Sequence, residues 1–134
     1  MQDKALPEAV GSGKAPEVER LLKEGADPDA KDGDGGPALN RAAIGGHLDA
    51  LKLLRKHGAN LDATNSNGTT ALMEAAIDGK ADCAEALLEW GADKDAADNT
   101  GTTALHHAAM KGHLECARLL VHTSDYPCGL DLSV

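Results

Sequence analysis

The chain has 134 residues, room for one modest domain, and sets 13 Lys and Arg against 22 Asp and Glu for a formal net charge of −9. That sign argues against DNA, RNA or an anionic membrane surface as a partner, since each requires a basic footprint. With no Phe, one Trp and one Tyr against 24 Ala and 18 Leu, the core cannot rest on bulky aromatics; it calls for closely packed, Ala-rich helices repeated many times.

The repetition is explicit at a period of 33 residues. Leu6, Leu39, Leu72 and Leu105 keep step, as do Ala9, Ala42, Ala75 and Ala108, then Gly13, Gly46, Gly79 and Gly112, then Leu21, Leu54, Leu87 and Leu120. Gly25, Gly58 and Gly91 recur until Ser124 breaks the series, with Asp29, Asp62 and Asp95 behind them. In chain order the copies fall at about 1–31, 32–64, 65–97 and 98–124, followed by a tail at 125–134. The first copy lacks a turn-plus-threonine start and carries Pro7, Lys14, Glu17 and Glu19, so it reads as an N-terminal cap. The fourth shows the unit most plainly. Asp98 and Gly101 mark a turn, Thr103 stands at a helix N-cap, and Ala104, Leu105, Ala108 and Ala109 share a helical face. Gly112 ends that helix, and Leu114, Ala117 and Leu120 stripe a second. The tail, with Tyr126, Leu130, Leu132 and Val134, is expected either to fold back as a cap or to be a linker in a longer protein.

These residues resemble the ankyrin repeat over about residues 5–124. The stretches NSNGTTALMEAAIDGK, LLEWGADKDA and DNTGTTALHHAAMKGH follow its pattern D-x-x-G-x-T-P-L-H-x-A-A-x-x-G-H and L-L-x-x-G-A-D-x-N-A at most positions. The departures are Ala38, Ala71 and Ala104 for the proline, Pro37 for one threonine, Asn40 and Met73 where only the fourth copy keeps His106, and Asp29, Asp62 and Asp95 for the closing asparagine. None is expected to disturb the fold, which the resemblance makes an all-α ankyrin-repeat solenoid of stacked helix-turn-helix units with β-turn fingers.

The resemblance also implies a groove for a protein ligand, formed by the fingers and the inner faces of the short helices. It places Gly33, Asp34 and Gly36, then Ser66, Asn67 and Thr69, then Asn99, Thr100 and Thr102 on finger tips. Ile44, Ile77 with Asp78, and Met110 with Lys111 come at the groove ends of the short helices, so Ile44, Ile77 and Met110 form an apolar stripe. Glu8, Arg41, Glu74 and His107 form a polar stripe beside it. Trp90, at a position that accepts Glu24 and His57 in other copies, is either an exposed anchor or a shelter for the next finger. Residues 1–64 carry eleven acids and nine bases, and residues 65–134 eleven acids and four bases, so the partner is expected to present a basic or mixed basic and apolar surface.

No reaction is legible. His106, His107, His113 and Cys116 could be drawn as a metal site, but Asn40, Met73 and Lys80 at the matching positions favour ordinary repeat roles. Cys83 and Cys116 share a slot with Ala50, which favours core packing over nucleophilic chemistry, while Cys128 lies in the tail. No phosphate-loop, dinucleotide, zinc-protease or nucleophile-elbow motif occurs. The expectation is a non-enzymatic, cofactor-free, monomeric protein-binding module. The alternatives are the targeting or regulatory part of a larger enzyme or scaffold and, from another class, a metal- or thiol-dependent activity. Three cysteines, no ~20-residue apolar run and a start, MQDKALPEAV, unlike a signal peptide point to the cytoplasm, with the nucleus possible.

Overall fold

The structure, a computed structural model, describes residues 5–33 and 35–121. Asp34 and the tail positions Tyr126, Cys128, Leu130, Leu132 and Val134 lie outside the described residues. Among the described residues, eight helices come in four pairs: α1 Ala5–Gly11 with α2 Ala15–Lys23, α3 Ala38–Gly45 with α4 Leu48–Lys56, α5 Ala71–Asp78 with α6 Ala81–Glu89, and α7 Ala104–Lys111 with α8 Leu114–Val121. Helices α1, α3, α5 and α7 pack side by side in one layer, and α2, α4, α6 and α8 in the layer behind. Among the described residues, extended pairing is confined to two isolated bridges, Lys31 with Pro37 and Ala97 with Thr103.

Local chemistry sets the short helices. Thr70 and Thr103 stand extended at the N-caps of α5 and α7, and their hydroxyls accept from the amides of Met73 and His106. Helices α3, α5 and α7 stop where Gly46, Gly79 and Gly112 turn left-handed at φ 71°, 70° and 74°. A side chain there would strain the turn by roughly 1–2 kcal/mol.

Packing follows the 33-residue register. Leu39, Leu72, Leu54 and Leu87 are all buried, and the small residues Ala42, Ala43, Ala75, Ala76 and Ala108 let the layers close over them. The slot shared by Ala50, Cys83 and Cys116 is buried in all three copies, so the two thiols are small core residues. The fourth unit keeps that register but not its burial. Leu105 is 37% exposed and Ala109 is exposed, although their counterparts Leu39, Leu72, Ala43 and Ala76 are buried. Helices α3 and α5 each lie between two first-layer neighbours, whereas among the described residues α7 has one, α5.

Candidate functional site

The chain between one pair and the next forms a finger, and the fingers are tied to one another in series. The amide of Asn60 donates to Asp29 Oδ1 at 2.7 Å, and that of Asp93 to Asp62 Oδ1 at 2.9 Å. These bonds account for Asp29 and Asp62 where the repeat pattern has asparagine: only an acceptor is required. Nearer the tips, the Asn99 amide donates to the Asn67 carbonyl at 3.0 Å and its side chain to the Ser66 carbonyl at 3.1 Å.

Each finger is folded by its own acidic or amide residue. Asn65 Oδ1 accepts from the amides of Asn67 and Thr69, and Asp98 Oδ1 from those of Thr100 and Thr102 and from the Thr100 hydroxyl. The Thr100 hydroxyl and the Thr102 amide, with help from His107, hold the Asp98 carboxyl well below the usual carboxylate range.

The base of each finger is then pinned to the short helix nine residues on. Arg41 Nη1 donates to Asp32 Oδ2 at 2.8 Å, and His107 Nε2 lies 3.0 Å from Asp98 Oδ2. The middle copy has the opposite polarity: Asn65 Nδ2 donates to Glu74 Oε2, and the contact is long, 3.5 Å. Glu74 is half-buried, and among the described residues no ion pair is made with it. Burial, reinforced by Asp78 one turn along α5, pushes its carboxyl up to about 7.

A cavity of about 250 Å³ opens between the second and third fingers, bounded by Asp32, Asn40, Arg41, Ile44, Asn65 and Glu74. Asn40 ties the two repeats together by donating from Nδ2 to the Thr69 carbonyl at 2.8 Å, but its Oδ1 is buried without a donor. The reason lies three residues earlier. In the fourth copy the N-cap amide of Thr103 donates to His106 Nδ1 at 3.1 Å; in the second the N-cap is Pro37, which has no N–H.

Two family models match the chain: residues 6–98 as ankyrin repeats in three copies, and residues 100–128 as a further ankyrin repeat. The chain belongs to the ankyrin-repeat family. No curated protein matches its sequence. Ankyrin repeats are in general protein–protein interaction modules, and their domains are typically non-catalytic.

Within this ankyrin array, the residues expected at the groove separate by environment. Ile44 and Met110 are exposed at 45% and 68%, Ile77 is half-buried between them in the register, and Asp78 and Lys111 are exposed at the ends of their short helices. Gly33 is exposed, while Gly36 is only partly so. Ser66 and Asn67 present exposed side chains. Thr69 does not belong on a tip. It is 8% exposed, because the bond from its amide to Asn65 folds it back to the finger base. In the fourth finger, Asn99 is engaged with Ser66, and Thr100 bonds both Asp98 and Thr102, so less of that tip is free. Trp90 caps α6 in the second layer, half-buried, with the Arg55 guanidinium 5.1 Å over its ring. That contact gives the tryptophan a structural partner two elements away.

The histidines have separate partners. His106 bonds Thr103, His107 bonds Asp98, and His113 Nε2 lies 3.0 Å from the Ile77 carbonyl of the preceding repeat. Among the described residues no group of three or more His, Cys, Asp or Glu is arranged to hold a metal. Burial pushes the Cys83 and Cys116 thiols up, away from the reactive thiolate. No helix of the described residues is long and apolar enough to cross a membrane.

The sequence reading missed three things: the nine-residue pinning pairs, the buried Asn40, and Glu74 with only a long bond from Asn65. The first was findable. Aligning the copies shows Asp32 with Arg41 and Asp98 with His107, but Asn65 with Glu74.

Proposed function

We propose that this chain is a monomeric, non-enzymatic module that binds another protein along the short-helix ends and fingers of its second, third and fourth repeats. One observation carries the reading: Ile44 and Met110 stand exposed at the same repeat position on either side of Ile77, next to the acidic groups Glu74 and Asp78. Apolar side chains aligned along an acidic ledge suit a partner that brings apolar contact and positive charge together. The second layer offers no such apolar stripe: at its matching outward position stand Lys52, Glu85 and Arg118, all exposed, all charged and of both signs.

Affinity capture from the source cell with matched variants tests this. Ile77→Arg is expected to lose the captured partner while keeping the melting temperature, and Lys52→Ala and Glu85→Ala to keep the partner. Loss of the partner in the second-layer variants and retention in Ile77→Arg would move the interface to the other face.

A further inference from the structure

We propose that the cavity between the second and third fingers receives a single arginine side chain of the partner protein, its guanidinium meeting Glu74 and its stem lying on Ile44. This rests on the groove reading above and names what one part of that groove recognises.

Three observations lead to it. The first is an unbalanced charge. The cavity holds Asp32, Arg41 and Glu74, and the first two form an ion pair at 2.8 Å, leaving the Glu74 carboxylate over. Arg41 cannot serve both acids: its guanidinium is drawn back over Gly11 of the first repeat, where a β-carbon would come within 2.6 Å of Nη2. Asp78, one turn from Glu74, has the same sign and adds to the field rather than relieving it.

The second is an excess of acceptors. Glu74 has a single long bond to Asn65, and Asn40 Oδ1 is a buried acceptor with no donor, in a residue that is 1% exposed and lines the same cavity. Glu74 therefore has lone pairs left for a ligand rich in N–H groups, and the enclosed Asn40 Oδ1, out of a ligand's reach, adds to the negative lining behind it. A metal ion would also prefer oxygens, but the cavity lacks three carboxylates free to surround one.

The third is shape and apolarity. Ile44, 45% exposed, stands at the edge of the cavity and offers the methylene stem of a long side chain something to lie on. Guanidinium is favoured over ammonium for this position. It is planar, weakly hydrated and presents its donors in a fork that matches a carboxylate, whereas a lysine head is a compact and strongly hydrated charge.

The test uses the full chain and a synthetic probe, acetyl-Gly-Arg-Gly-amide, followed by the side-chain amide resonances of Asn40 and Asn65 and the carboxyl resonance of Glu74. Acetyl-Gly-citrulline-Gly-amide keeps the shape and removes the charge; the lysine tripeptide keeps the charge and removes the fork. The expected result is saturable shifts at all three reporters with the arginine probe, and binding at least about tenfold weaker for citrulline. Saturation should also lower the titration midpoint of the Glu74 carboxyl. Glu74→Gln, nearly isosteric, should weaken the arginine probe by a similar factor with no loss of melting temperature. Equal binding of arginine and citrulline, stronger binding of lysine, unmoved reporters, or an unaffected Glu74→Gln variant would each overturn the proposal. Its failure is separable from that of the groove reading: a captured partner lost in Ile77→Arg but kept in Glu74→Gln leaves the groove standing and removes the arginine site.

Discussion

Asn65 offers its side-chain amide to Glu74 at the position where Asp32 meets Arg41 and Asp98 meets His107. A donor is required at residue 65 because its partner is an acid. An aspartate there, as in the two neighbouring copies, would set two carboxylates against each other at the base of a finger.

Asn65→Asp should therefore destabilise the array by about 1–2 kcal/mol at pH 8, through like-charge repulsion at a half-buried site. The loss should shrink at pH 5, where one of the two acids can hold a proton. Adding Glu74→Arg to Asn65→Asp rebuilds the polarity of the Asp32–Arg41 pair and should recover most of it. Denaturant melts of the two single variants and the double variant give the coupling energy directly, expected at about 1 kcal/mol and favourable. A coupling of zero would mean that the pair does not pin the finger.

The pH dependence of stability separates two carboxyls with opposite shifts. Glu74 binds a proton more tightly in the native state, with its carboxyl raised to about 7. Its contribution therefore favours the folded chain at low pH and is lost as the pH rises from about 4.5 through about 7. Full conversion of such a shift overstates the effect at a half-buried group, and about 1–2 kcal/mol is expected after solvent screening. Asp98 has the reverse sign. Its carboxyl is held low, so its contribution is present above the ordinary aspartate range near 4 and is lost on further acidification. Stability profiles of Glu74→Gln and Asp98→Asn should flatten in different windows, the first between about pH 4.5 and 7 and the second below about pH 4. Flattening of both in the same window would contradict the assignment.

What was legible in the sequence was whatever a single repeat decides for itself. Thr103 as an N-cap, Gly112 as a helix stop and the burial of Leu39, Leu72 and Leu87 depend on neighbours within a turn or on the fixed stacking of units. What was not legible depended on groups brought together by the finger. The burial of Thr69 follows from a bond to Asn65 across the finger, and the lone carboxylate of Glu74 from Arg41 being committed to Asp32. The exposed Leu105 marks a different limit: a repeat pattern assumes a neighbour on both sides, and α7 has one described first-layer neighbour.

Pro37 and Asn40 make a third test. Pro37→Thr supplies an N-cap hydroxyl to accept from the α3 amides and an N–H to reach the orphan Asn40 Oδ1, as Thr103 does for His106. Against this stands the lost stiffness of proline in the unfolded chain, about 0.4–1 kcal/mol. Satisfying a buried acceptor and adding a cap together should outweigh it, for a net stabilisation of about 0.5–1 kcal/mol. The gain should be smaller in an Asn40→Ala background, where no acceptor waits. Equal shifts in the two backgrounds would show that the N–H finds no use at Asn40.

One further comparison tests how position along the array sets the cost of the same deletion. Leu72 and Leu105 occupy the same place in successive repeats, but Leu72 is 1% exposed and Leu105 is 37% exposed. Helix α5 carries Leu72 between α3 and α7, so removing its side chain leaves a cavity walled on both sides by rigid helices. Leu72→Ala should cost about 2–5 kcal/mol. At Leu105 part of the side chain already faces water, and a shallower hollow can be relaxed or wetted. Leu105→Ala should cost less than about 1.5 kcal/mol, the loss of a partly buried side chain without a closed cavity. In a stack stabilised by nearest neighbours, the Leu72 variant should also broaden the unfolding transition, because it weakens two repeat interfaces in the middle of the array. Urea melts of both variants decide this, with the midpoint reporting the cost and the slope the cooperativity. Equal losses at the two positions would mean that Leu105 is as fully enclosed as Leu72, and that the difference in their exposure has no energetic weight.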